Sequence, residues 1–260
     1  MITSTQNPSI KHLLLLQQKS AQRRADGLFV VEGRREIEHC LTAGFVLRTA
    51  FVCSEIAGHV SLPQSVEIVP VTPHVYERIA YRGGTEGIVA VVEARKTRLC
   101  DLPLSASPLI VVLESVEKPG NLGAVLRSAD AAGADAVVVC DALTDLWNPN
   151  LIRSSIGAVF TVPCVTCSSE ECIAYLKERK IRILTAQLQD SEPYYDTDMK
   201  CGTAIVMGTE ATGLTEVWRQ VADAHIRIPM LGKLDSLNVS VSAAILLFEA
   251  VRQRKLTVES

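Results

Sequence analysis

No run of eighteen apolar residues occurs in this 260-residue chain, although 48% of it is apolar, so a membrane-spanning helix is not expected. The opening "MITSTQNPSIKHLLLLQQKS" lacks the basic, apolar, small-residue order of a secretory signal, and a cytoplasmic location is expected. The eight cysteines are scattered through strand-like and helical stretches, a pattern unlike a disulfide framework, and most are expected as buried small hydrophobes. The one close pair, Cys164 and Cys167 in "PCVTC", lacks the second pair that a zinc ribbon requires. No His-rich ligand pattern, no G-x-G-x-x-G and no G-x-x-x-x-G-K-[ST] is present, which removes the metal, dinucleotide and P-loop signatures.

What is present begins with charge. The formal net charge is −3, but residues 1 to 36 hold Lys11, Lys19, Arg23, Arg24, Arg34 and Arg35 against Asp26, Glu32 and Glu36. That segment is +3, leaving −6 for the rest. Such a local excess is either a contact for a polyanion or a solvated helix face.

The first third alternates helical and strand patterns: a basic amphipathic stretch to about residue 24, "LFVVEG", a helix near 34–43, "FVLRTAFVCS", "VEIVPV" and "EGIVAVVEA". Short units of this kind build a small α/β domain over residues 1–95. "RKTRLCDLPLSASP" has charge, prolines and serines without periodicity, and residues 96–108 are expected as a linker. From Leu109 to the end at residue 260, "LIVVLE", "DAVVVCD", "KIRILTAQL", "GTAIVMGTE" and "DAHIRIPM" alternate with helical segments. Continuous apolar strands of this sort indicate a parallel sheet covered on both faces, whose ligands bind beyond the carboxyl ends of the strands.

Three junctions there combine glycine with polar residues. In "ESVEKPGNLGAVLRSADAAGA", Pro119-Gly120 reads as a turn and Arg127 as lying early in the next helix. It is then a surface cation or, because the macrodipole disfavours a cation near a helix start, a functional group. In "IVMGTEATGL", Gly208 would allow a close backbone approach, and Glu210 is an acid at a helix start or a site residue. In "HIRIPMLGKLDSLNVSVSAA", Asp235 or Ser236 can serve as N-cap, which leaves Asn238 unexplained; Ser240 and Ser242 suit close packing of another helix.

Taken in order, these three stretches resemble the motifs of the SpoU-type (TrmH-like) RNA ribose 2'-O-methyltransferases of the SPOUT superfamily. The N-terminal "NPSIKHLLLLQQKSAQRRADGLFVVEGRREI" is similar to the start of the small substrate-binding domain that many members carry. The resemblance implies a ribosomal-protein-like α/β domain followed by a parallel-sheet SPOUT domain with a trefoil knot, S-adenosylmethionine as methyl donor, no metal, and a homodimer through the C-terminal domain. By position, Asn121 and Arg127 match the first motif, Glu210 the second, and Ser236 and Asn238 the third. Gly208, Ile228, Leu237, Met230 and Ala186 match cofactor-contacting positions. Lys118 departs from the family, where many members have Asp before the proline.

The implied chemistry is methyl transfer to a ribose 2'-hydroxyl, which needs alignment and proton removal but no metal. Arg127 is the family's candidate. A free guanidinium has a pKa above about 12, so either its surroundings lower that value or Arg127 grips phosphate and oxyanion electrostatically. Lys11, Lys19, Arg23, Arg24, Arg34 and Arg35 then become the RNA-facing residues. Ribosomal RNA is favoured over transfer RNA because the N-terminal domain resembles those of ribosomal RNA enzymes. The rivals are a transfer RNA methyltransferase, a non-catalytic RNA-binding protein of the same fold, and a nicotinamide oxidoreductase, which the missing glycine fingerprint disfavours.

Overall fold

Asn7 starts the first helix: its side chain accepts the backbone N–H of Ser9, and Pro8 occupies the first helical position, where no N–H is needed. The computed structural model describes residues 1–81, 86–209, 212–234 and 236–255. Helix α1 (Pro8–Gln18) buries Ile10, Leu13 and Leu16, and α2 (Ser20–Asp26) stops at Gly27 in the left-handed conformation. There follow β1 (Leu28–Glu32), α3 (Arg34–Thr42), β2 (Leu47–Val52), α4 (Ser54–Ala57), β3 (Glu67–Pro70), α5 (Pro73–Ile79) and β4 (Ile88–Glu93). The strands form a mixed sheet in the order β1-β4-β2-β3, antiparallel except for the β2–β3 pair. Its core joins α1 and α5 to the strands through Leu13, Leu16, Phe51, Val75, Tyr76 and Val89.

The expected linker is not a free tether. Leu99–Asp101 forms a 3-10 turn, Leu102 is buried, and the Asp135 carboxylate accepts the N–H groups of Ser105 and Leu109 at 2.7 and 2.8 Å. Residues from Lys96 to Thr144 belong to the second compact unit. Here β5 (Leu109–Glu114) leads into α6 (Pro119–Ala132) and β6 (Ala136–Cys140).

The chain then returns to the first unit. Asp145–Thr161 is part of it, with α7 (Pro149–Ser155) and α8 (Ala158–Thr161). Trp147 stacks on Phe29 with ring centroids 4.4 Å apart, and Phe45 and Phe160 complete an aromatic cluster. Asp145 ion-pairs with Arg23 at 2.6 Å. A domain cut only at 96–108 therefore needs correction: a segment late in sequence supplies core to the first unit, through long-range packing that no local pattern announces.

The second unit resumes with β7 (Cys164–Cys167), α9 (Ser169–Glu178), β8 (Arg182–Ala186), β9 (Glu192–Pro193), β10 (Thr203–Met207), α10 (Glu216–Val221), β11 (Ala224–Arg227) and α11 (Val239–Lys255). The sheet order is β7-β6-β5-β10-β8-β11-β9, and every pair is parallel. The central strands β5, β6 and β10 are buried along their whole length, as sequences apolar at consecutive positions require. One core of this unit gathers Ile110, Val138, Leu176, Ile183, Val206 and Trp218. Among the described residues no helix is long and apolar enough to cross a membrane.

Candidate active site

In the second unit β8, β10 and β11 lie side by side, so the loops leaving their carboxyl ends converge. They enclose a cleft of about 440 Å³, within the range of small-molecule sites. Ala186, Gly208, Ile228, Met230 and Leu237 all line it, as does Ser236. Five residues scattered over fifty positions of sequence are thus brought to one wall.

The loop after β10 explains Gly208 in physical terms. It folds back so that Thr209 bridges Gly213, and a side chain at Gly208 would stand 2.2 Å from the Gly213 carbonyl oxygen. The close approach is by the loop's own backbone. Behind it, Glu114 closes β5 as a buried carboxylate that accepts the Thr215 N–H at 2.8 Å and the Thr215 hydroxyl at 2.6 Å. Ser169 donates to Asp141 at 2.6 Å and accepts from the Trp218 indole at 3.0 Å, which fixes the neighbouring strand end. Glu114 was not singled out from the sequence, though a charge ending the run "LIVVL" is a visible signal.

Two polar atoms in the cleft wall stand out. Gln187 Oε1 and Arg219 Nε are buried without a hydrogen-bond partner among the described residues, and both residues line the cleft. A buried acceptor and a buried cationic donor left open cost free energy unless a ligand meets them. With the apolar Met207, Leu214 and Ile226 on the same wall, they suit a ligand such as S-adenosylmethionine, which carries an amine-bearing ring, hydroxyls and a carboxylate. Neither residue belongs to the three motifs, so sequence reading passed over them.

Asn238 lies at the end of the β11 loop and caps α11. Its Oδ1 accepts the Ser240 N–H at 3.0 Å and the Ser240 hydroxyl at 2.6 Å, while its Nδ2 donates to Asn121 Oδ1 at 3.2 Å. The expectation that Asp235 or Ser236 is the cap gives way to Asn238, and Asp235 falls outside the described residues. Ser240 donates to that cap, and Ser242 lines the cleft. Glu210 also falls outside the described residues.

Helix α6 begins at Pro119, not after it. Pro119 takes the first helical position and Gly120, Asn121 and Gly123 form the first turns, so "PGNLG" is helix and not turn. Arg127 is consequently nearer the helix's C-terminal end, and the macrodipole argument for a functional role lapses. Lys118 occupies the N-cap without a side-chain cap bond, a place where an Asp could accept one. Arg127 is exposed and six residues beyond Asn121, about 9 Å along the axis and on another face. It is not part of the cleft lining, nor are Asn121 and Asn238.

Of the basic residues in the first unit, Lys11, Lys19, Arg24, Arg34 and Arg35 are exposed. Arg23 is not: it is only 3% exposed, and its guanidinium donates to Asp145, to the Leu16 carbonyl at 2.6 Å and to the Gln17 carbonyl at 3.2 Å. The RNA-facing assignment of Arg23 is therefore withdrawn. Charge composition does not distinguish a cation committed inside from one facing water.

Comparisons with known proteins agree with this arrangement. Residues 108–248 match the model of the SpoU rRNA Methylase family, and residues 7–90 match an MRM3-like substrate binding domain. The 23S rRNA (guanosine(2553)-2'-O)-methyltransferase RlmP of Bacillus subtilis is 27% identical over 250 residues, covering 95% of this chain and 97% of that protein. The 23S rRNA (guanosine-2'-O-)-methyltransferase RlmB of Bordetella pertussis is 38% identical over 176 residues, 65% of this chain and 71% of that one. The crystal structure of the SpoU methyltransferase AviRb from Streptomyces viridochromogenes in complex with AdoMet superposes with a TM-score of 0.87 at 28% identity, covering 96% of this chain and 99% of that one. With its second unit matched along nearly the whole of its sheet, the chain belongs to the SpoU rRNA methylase family.

Proposed function

We propose that this protein transfers a methyl group from S-adenosylmethionine to a ribose 2'-hydroxyl of ribosomal RNA. The observation that carries the reading is the cleft at the ends of β8, β10 and β11, lined by Gly208, Ile228, Leu237, Met230 and Ala186 and by Gln187 and Arg219, whose Oε1 and Nε have no partner among the described residues. The naming of relatives as 23S rRNA 2'-O-methyltransferases supports ribosomal over transfer RNA. A ribosomal substrate in turn supports a cytoplasmic protein. The family's trefoil knot belongs to this reading, on the strength of the family match over residues 108–248.

When bound, S-adenosylmethionine supplies an electrophilic methyl group on a sulfonium. The chain's own task is then to hold the ribose hydroxyl in line and to relieve its developing charge. Arg219 Nε is set to meet a carboxylate and Gln187 Oε1 an N–H or O–H donor. Asn121 and Asn238 bond each other, which fixes the start of α11 and hence Ser236 and Leu237. Glu210, in the second motif, is retained as the residue that orients Arg127 or Asn121. Arg127 grips a phosphate and the oxyanion, since a guanidinium does not deprotonate in proteins.

We read the protein as a homodimer through the C-terminal unit. Helix α11 packs against α6 and still exposes Val241 and Phe248, at 46% and 49%. Arg127 stands on α6 outside the cleft lining, so a second copy on this helix pair lets the arginine of one protomer serve the cleft of its partner. The exposed Lys11, Lys19, Arg24, Arg34 and Arg35 of residues 1–95 hold RNA phosphates.

The test is transfer of labelled methyl to unmodified 23S ribosomal RNA beside transfer RNA, followed by mapping of alkali-resistant linkages. One resistant linkage in ribosomal RNA is expected. Transfer to transfer RNA alone would change the substrate, and cofactor binding without transfer to either RNA would favour the non-catalytic RNA-binding protein.

A further inference from the structure

Three thiols outside the methyl-transfer site converge in the second unit. Cys140 closes β6, Cys167 closes β7 and Cys172 lies on the first turns of α9; their sulfur atoms all lie within 4.8 Å of one another. No sequence motif announces the group, because the fold assembles it. The parallel register pairs Cys140 with Cys167, and a capping box between Ser168 and Glu171 starts α9 so that Cys172 turns back onto the strand ends. Cys164, the close neighbour in sequence, is not a member. Three positions from Cys167 along a strand, it faces the other side of the sheet.

The trio has the features of a binding site as well as of packing. Cys140 and Cys172 are fully buried, whereas Cys167 is half-buried and gives access from solvent. Thiolate is the form that binds soft metals. Asp141 and Glu171 lie close enough to act electrostatically on Cys167, so the surroundings are negative and favour a cation.

We propose that Cys140, Cys167 and Cys172 form a site for a thiophilic d10 metal ion, with Zn²⁺ as its probe, held by three sulfur ligands. Tetrahedral ligation with Zn–S near 2.3 Å places sulfurs about 3.8 Å apart, so the present spacing needs to close by no more than about 1 Å. Each ligating thiol gives its proton to solvent, and a water or a flanking carboxylate takes the fourth position. β7 is the edge strand of the sheet, so the ion ties that edge to β6 and α9. Its role is structural and separate from methyl transfer.

The experiment is titration of the reduced, metal-free full chain with Co²⁺. Thiolate-to-cobalt charge-transfer absorption should saturate at one equivalent, disappear on adding Zn²⁺, persist in Cys164→Ser and be lost in Cys167→Ser. The half-buried Cys167 is chosen because its replacement disturbs the core least, with circular dichroism as the check on folding. X-ray absorption of the zinc-loaded wild-type chain needs no variant and should show three sulfur neighbours at about 2.3 Å. Absence of the charge-transfer band, its survival in Cys167→Ser, or a zinc shell without sulfur would overturn the site and return the trio to core packing.

Discussion

Arg23 in the first unit and Arg219 in the second are both shielded arginines, and they are used in opposite ways. Arg23 donates to Asp145 and to two carbonyls, so its charge is consumed in holding α2 to the 145–161 segment. Arg219 lines a cleft, and among the described residues its buried Nε meets no acceptor. A buried cation with its donors satisfied signals architecture, and one with a donor unmet signals a ligand. The contrast is what separates the unit that presents a surface from the unit that encloses a small molecule.

The strongest way to break the comparison is to remove Arg23. Arg23→Ala leaves Asp145, itself only 12% exposed, as an uncompensated charge, which costs about 3–5 kcal/mol in buried pairs. The two tryptophans make the location testable, because Trp147 belongs to the first unit and Trp218 to the core of the second. In a Trp218→Phe background, urea unfolding followed by Trp147 fluorescence should shift to lower denaturant. An unshifted midpoint would mean that the ion pair contributes nothing and that the segment is held by its aromatic cluster alone.

Arg127 sharpens the contrast from the other side, being exposed on α6. Arg127→Ala should leave the melting temperature unchanged and lower the methyl-transfer rate by about 10²–10³, the usual effect of deleting one stabiliser of transition-state charge. Full activity would remove Arg127 from the mechanism. A matching fall in melting temperature would make it structural.

The pattern of regular structure was legible because the strands are apolar at consecutive positions: "LIVVLE", "DAVVVCD", "KIRILTAQL", "GTAIVMGTE" and "DAHIRIPM" each contain a strand of the parallel sheet. β9, two residues long, has no periodicity to find. The start of α6 is ambiguous in sequence because Pro-Gly is a turn signal and Pro is also a favoured first helical residue, and only the following bonds decide between them. At the site, Gly208, Ile228, Met230, Ser236 and Leu237 from the motifs line one cleft whereas Asn121, Arg127 and Asn238 do not, and Gln187, Arg219 and Glu114 matter through where the fold places them. The return of Asp145–Thr161 to the first unit and the meeting of Cys140 with Cys167 and Cys172 depend on contacts distant in sequence.

A smaller effect is expected at Arg219. A hydrogen bond to a charged group contributes about 1.5–3 kcal/mol, so Arg219→Ala should weaken S-adenosylmethionine binding by about ten- to a hundredfold in calorimetry. Arg219→Lys should recover little of this, because a lysine cannot present the guanidinium fork. Unchanged affinity would show that the open donor faces RNA or water instead.

The smallest effect distinguishes two adjacent arginines. Arg24 is exposed where Arg23 is buried, so only Arg24 can exchange counterions with RNA phosphate. Arg24→Ala should reduce the slope of log affinity against log salt by about one and leave stability alone. Arg23→Ala, measured where it is still folded, should leave that slope as it is. If the two variants change the slope equally, the Arg23–Asp145 pair opens on binding RNA and the division between architecture and recognition fails in the first unit. If neither changes it, the phosphate contacts lie with Lys11, Lys19, Arg34 and Arg35, and the same slope measured on each of those variants locates them.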